Sequence, residues 1–260
     1  SSKLLLSNTT TVGSVSTSLA SSGVDINESS TITSLAVGHT TPVSIASGKT
    51  LSGAVTVTAG SIKLGETGTV ASTISMSGGI LDADATLTIS GALTQSGNIA
   101  IDVAEDKTLS YSGATIETGA SELTILGGGT FSNTNPLELD QGQSQLNLSG
   151  ITAKYVRTSS NSLGITVVSS SKIDELSVGH VTPVSISPNQ SLDGDFKIYE
   201  DSNLQLNNTG TLAANVKISG NGGTVEAQET MTFTGSLQQV DQHNGFELII
   251  ASGKTMNYSG

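Results

Sequence analysis

Apolar residues recur along this chain on two periods at once. Locally they alternate with polar residues, as in Val24, Asp25 and Ile26, or Ile62, Lys63 and Leu64. Alternation of this kind puts every second side chain on one face of an extended strand. The alternating runs themselves repeat at a fixed interval. Val24, Val43, Ile62 and Leu81 stand 19 residues apart, and Ile26, Ile45 and Leu64 keep step two places on. Ile32, Leu51, Val70 and Ile89 form a third column, and the pairs Val55/Ile74 and Val57/Met76 a fourth. After Ile89 the interval loosens to about 20–23 residues, as insertions at loops produce. No stretch combines helical spacing with good helix formers.

A 19-residue interval is too short for a globular domain and too long for a hairpin. It predicts one coil of a parallel β-solenoid, with three short strands joined by tight corners. Equivalent residues of successive coils then stack about 4.8 Å apart. A single coil buries too few aliphatics to offset the ordering of its backbone, so only a run of coils is stable. Glycines after inward residues, as in "LSG" at Leu51, "ISG" at Ile89 and "LDG" at Leu192, suit the sharp corners. Pro42 and Pro183 precede Val43 and Val184, at strand starts where a missing N–H is tolerated. The expected fold class is all-β, a single parallel β-helix with coils of about 19–23 residues; tandem β-sandwich repeats are the alternative.

A longer repeat runs through the whole chain. "KLLLSN" at Lys3 returns as "QLNLSG" at Gln145, and "GETGTVASTISMSG" at Gly65 as "NNTGTLAANVKISG" at Asn207. Residues 1–144 form the first unit, and 145–260 a second, incomplete unit continuous with it. The chain reads as a window cut from a longer array. The plainest echo is "VGHTTPVSI" at Val37 against "VGHVTPVSI" at Val178, within coils identical at 11 of 19 positions. Val43, Ile45 and Leu51 are expected inward, with Gly38, Pro42 and Gly53 shaping corners, which leaves His39/His180, Thr41/Thr182 and Ser44/Ser185 without a role. A catalytic reading makes His39 a base acting on Ser44, or a metal ligand. No carboxylate shares the phrase in both copies, and Ser44 sits on a flat strand rather than a strained elbow. Copied architecture is the better account.

Charge then narrows the partners. The formal net charge is −12 with a single arginine, Arg157, which argues against nucleic acid, since phosphate binding needs basic patches. Absence of cysteine excludes disulfides and thiolate metal sites. The opening "SSKLLLSN" is too short in its apolar part for a signal peptide or a membrane span, so no membrane insertion by this segment is expected.

Two constellations remain. Thr31, Thr50, Thr69, Thr88, Thr108 and Thr130 each precede an inward residue and are expected to stack in one outward file. Such a file could match ordered water or a carbohydrate surface; equally, β-branched threonine simply suits an exposed strand. Carboxylates cluster at Asp82/Asp84, Asp102/Glu105/Asp106 and Asp193/Asp195/Glu200/Asp201, with Asp82 and Asp102 expected on adjacent coils. A carboxylate pair could hydrolyse a glycoside, and the clusters leave calcium open as an ion, but no calcium motif is present. A solvated acidic face is the simpler reading. No cofactor, no metal and no catalytic residue is expected; the chain is not expected to be an enzyme.

The turns "ATLTISGALTQSGNIAI" and "GKTLSGAVTVTAGSIKL" resemble the β-helical passenger and stalk regions of autotransporters and filamentous-haemagglutinin-type bacterial adhesins. The resemblance covers nearly the whole chain at the level of pattern and transfers no catalytic residue. It implies a right-handed β-helix, secretion to the bacterial cell surface, and a rigid acidic stalk or adhesive role with lateral ligand contacts. The partners it implies are a host or environmental surface ligand, carbohydrate among the candidates, and neighbouring repeats of the same chain. End-to-end self-association is expected as well, through Leu4 and Leu6 at one end and Met256 and Tyr258 at the other. A self-assembling S-layer, sheath or filament component is the alternative, and a polysaccharide-degrading β-helix enzyme the second alternative.

Overall fold

The computed structural model describes residues 2–19, 21–207, 209–219, 222–240 and 245–260, which form strands, turns and no helix. Contacts group them into two compact units, Ser1–Ile116 with Leu123–Asn135, and Glu117–Glu122 with Pro136–Gly260. Within each unit the strands pair in parallel with their equivalents one coil away. Each unit is therefore a β-solenoid; β-sandwich repeats would be built from antiparallel strands.

In the first unit one sheet contains Ser2–Leu6, Ser21–Ile26, Thr41–Ile45, Ser61–Leu64, Ile80–Ala83 and Ile99–Val103. In the second unit the corresponding sheet contains Gln145–Ser149, Gly164–Ser169, Val181–Ile186, Asn203–Leu206 and Thr224–Ala227. Alternate side chains of these strands point inward and, with those of the facing strands, are buried in columns such as Leu35, Val55, Ile74 and Leu93.

The second side of the coil differs from expectation. Early coils carry one long strand there, Ser30–Val37 and Thr50–Val57 in the first unit, Ser171–Val178 and Ser191–Ile198 in the second. Only later does this side break in two, as Thr69–Val70 with Thr73–Met76, or Met231–Phe233 with Leu237–Gln239. Three-stranded coils thus describe only part of each unit. In the early coils the bend is taken up by a bulge inside the strand. Register shifts between Ile32 and Leu35 on pairing with the next coil, and between Ile173 and Glu175 at the matching place. The bulge sets Ile32 opposite Gly53 and Ile173 opposite Gly194. Both glycines have positive φ, 113° and 146°, and a Cβ on either would lie 1.8 or 1.7 Å from the facing isoleucine carbonyl oxygen. Only glycine fits.

A second departure concerns register. Val43 pairs with Leu64 and not with Ile62; the partner of Ile62 is Thr41. The second unit makes the same two-residue slip, with Val184 against Leu206 and Thr182 against Leu204. The bulge likewise takes Ile32 out of the Leu51 column and Ile173 out of the Leu192 column.

Candidate functional site

The slip explains the repeated phrase. Thr41 and Thr182 occupy inward places and are both fully buried. Thr41 Oγ1 lies 2.8 Å from Thr17 Oγ1 and 2.9 Å from the His39 carbonyl oxygen. Thr182 Oγ1 lies 2.8 Å from Thr158 Oγ1 and 3.3 Å from the His180 carbonyl oxygen. A buried hydroxyl needs such partners, so the phrase keeps its threonine for packing and hydrogen bonding. His39 and His180 contribute carbonyls to this arrangement, while both residues are exposed. No group of three or more His, Asp or Glu residues able to hold a metal occurs among the described residues.

The threonine file is not continuous. Thr50, Thr69 and Thr88 do stack, as do Thr108 and Thr130. The bulge, however, sets Thr31 against Ser52, and Thr88 meets Ser110 instead of Thr108. Six threonines become a run of three, a run of two, and Thr31 stacked on Thr11.

Asp82 and Asp102 do pair on adjacent coils. Asp82 faces Lys63 on its other side, with Nζ 2.9 Å from its Oδ2, and Asp84 lies 3.7 Å from the same ammonium. Burial pushes the Asp82 carboxyl above its ordinary range; the hydrogen bond from Lys63 opposes this and the charge of Asp84 adds to it. The hydrogen bond and charge of Asp82 push Lys63 up. The pair therefore favours the cation without holding its carboxylate down, because Asp82 is the less exposed partner, 15% against 40%.

The chemically richest place in either unit was not legible in the motifs. It is a cavity of about 520 Å3 on the side of the second unit, lined by Glu138, Tyr155, Arg157, Ser177, His180 and Tyr199, among others. Four consecutive coils supply these side chains. The strand Leu137–Leu139 sets Glu138 opposite Arg157 of Thr152–Thr158. Arg157 then faces Ser177 of Ser171–Val178, which faces Lys197 of Ser191–Ile198. Alternation carries Tyr155 to the same face as Arg157, and Tyr199 follows directly on the Ser191–Ile198 strand.

Electrostatics tie the cavity together. Arg157 Nη2 donates to Glu138 Oε2, forming an ion pair with a carboxylate only 11% exposed. Burial pushes the Glu138 carboxyl up, but hydrogen bonds from Arg157 and Ser159 and the guanidinium charge outweigh it and hold the group below its ordinary range. The Glu138 hydrogen bond pushes Arg157 up in turn. Lys197 Nζ donates to Glu175 Oε1 at 2.9 Å. Arg157 Nε and Ser177 Oγ are buried without a hydrogen-bond partner.

The signal that finds this site is subtraction of the repeat. In the first unit Ser14, Ser16, Ser34, Thr56 and Thr58 stand where the second has Tyr155, Arg157, Glu175, Lys197 and Tyr199. The strands bearing them pair in matching registers in the two units. No family model, curated protein or solved structure matches the chain.

Proposed function

We propose that this chain is a structural segment of a large repetitive bacterial cell-surface protein: an acidic, non-catalytic stalk exposed outside the cell. One observation carries the reading. Two units share a coil plan down to the glycine-seated bulge (Gly53, Gly194) and the buried threonine (Thr41, Thr182), while their outward residues diverge. Duplication of that kind adds coils and leaves the surface free to vary, which suits a spacer. Immunogold labelling of unpermeabilised source cells should decorate their surface. Deleting residues 24–164, one 141-residue period joining Gly23 to Ile165, should bring the label closer to the envelope. Label confined to the interior of opened cells would overturn the reading.

A further inference from the structure

The structure assigns to the second unit a lateral binding site for a neutral saccharide, seated between Tyr155 and Tyr199 and against the Glu138–Arg157 pair. The inference stands on the cavity alone and does not depend on where the protein resides.

The scaffold does not require these residues. Ser14, Ser16 and Thr58 occupy the places of Tyr155, Arg157 and Tyr199 in the first unit, where the corresponding strands keep the same pairing. Two of the chain's four tyrosines therefore converge on one cavity without a counterpart in the first unit, beside its one arginine, which pairs with the buried Glu138. Tyr199 is 46% exposed, a large aromatic surface left in water. The cavity volume, about 520 Å3, lies within the roughly 300–1,000 Å3 that small-molecule sites occupy.

The lining matches one ligand chemistry. A pyranose ring presents a face of C–H groups and a rim of hydroxyls, each of which both donates and accepts. Aromatic rings supply a partner for the face. A carboxylate beside a guanidinium supplies acceptors and donors side by side for neighbouring hydroxyls. Neutrality follows from the pairing. Arg157 is answered by Glu138 and Lys197 by Glu175, so neither cation is left over for a ligand carboxylate or sulfate. Glu200 and Asp201, which follow Tyr199 directly in the chain, add negative charge, which disfavours an anion further.

The test is an NMR titration of the isotope-labelled full chain with cellohexaose, maltohexaose and mannohexaose, and with hexagalacturonate as the charged counterpart. At least one neutral oligomer should shift amides of residues 155–159, 177–180 and 199, with the first unit unmoved. The double substitution Tyr155→Ser with Tyr199→Thr installs the first unit's residues. It should weaken binding at least about tenfold and leave the thermal midpoint where it was. Shift mapping on the unaltered chain decides the location even if that variant folds poorly. The site is refuted if no neutral oligomer shifts these amides at about 10 mM, if the shifts lie elsewhere, or if the double variant binds as the parent does. Binding of hexagalacturonate alone would refute neutrality.

Discussion

The two units are the same solenoid decorated differently, and the place of the differences is informative. Inward positions exchange one apolar residue for another: Val43 for Val184, Leu51 for Leu192, Val55 for Phe196, Leu64 for Leu206, Ile74 for Val216. Where a Cβ would strike a carbonyl oxygen of the neighbouring coil, at the bulge and at the strand before the proline, glycine stands in both units, whereas the positive-φ corners Gly48 and Gly60 become Asn189 and Asp201. Gly23 and Gly164 both have positive φ, and a Cβ on either would lie 2.2 or 1.9 Å from the carbonyl oxygen of Pro42 or Pro183 on the next coil. Outward positions change in chemical kind, from Ser and Thr to Tyr, Arg, Glu and Lys. Packing tolerates volume-for-volume exchange inside, and backbone contact tolerates none at the bulge. Only the outer face is free to acquire chemistry, and only the second unit has the tyrosine and arginine cluster.

The sharpest way to break this comparison is at the shared bulge. Gly53→Ala and Gly194→Ala each drive a methyl group into a carbonyl oxygen at a φ that L-residues avoid. Each should destabilise its unit by at least about 3 kcal/mol, and by similar amounts. Amide hydrogen exchange, read unit by unit, measures both losses in one molecule. A severe effect in one unit and a mild one in the other would mean that the bulge is not the same structure twice.

The threonine pair offers a finer contrast, because the two copies are not equally buried. Thr158, the partner of Thr182, is 1% exposed and also accepts from the Gly179 amide at 3.2 Å. Thr17, the partner of Thr41, is half-buried and bonds to the Ala36 carbonyl at 3.3 Å. Thr182→Val takes one partner from a hydroxyl that water cannot reach, leaving it the Gly179 amide and, at 3.5 Å, the Ser177 carbonyl oxygen, whereas Thr41→Val leaves one that water can reach. The first should cost about 2 kcal/mol and the second about 1 kcal/mol, by urea denaturation. Equal costs would show that the network in the second unit holds nothing extra.

What the sequence could reveal follows from the same geometry. The coil was legible because apolar columns at a regular 19-residue interval suit few folds besides a solenoid. Its register was not. Side chains alternate with period two, so pairing Val43 with Ile62 or with Leu64 buries apolar residues equally well. The two-residue slip leaves the pattern intact while moving Thr41 inward, and the bulge breaks the threonine file at Thr31. The cavity was hidden for a related reason. Glu138, Arg157 and Tyr199 are far apart in sequence and share a face only once the register is known. His39, singled out by its repetition, proved to matter through its carbonyl, which no residue type advertises.

Acid gives the smallest effect and separates the units by sign. Glu138, in the second unit, has its folded pKa held below the ordinary glutamate value, after Arg157 and Ser159 outweigh burial. Its contribution to stability is present above the unfolded-state value, about 4.3, and is lost as pH falls through the depressed folded value. Asp82, in the first unit, has a folded pKa raised by burial first and by Asp84 as well, against the hydrogen bond from Lys63. There the folded state binds its proton more readily than the unfolded chain, so acidification through the raised value favours folding. Against Glu138→Gln, the unaltered chain should therefore lose its advantage on acidification from about pH 7 to pH 3. Against Asp82→Asn it should gain over the same range, mainly above the ordinary aspartate value. Differences in exchange protection between each variant and the parent, followed unit by unit against pH, isolate the two groups from the other carboxylates. A flat difference for Glu138→Gln would show that the Glu138–Arg157 pair is no better than a solvated one, and the second unit would lose the feature that anchors its cavity.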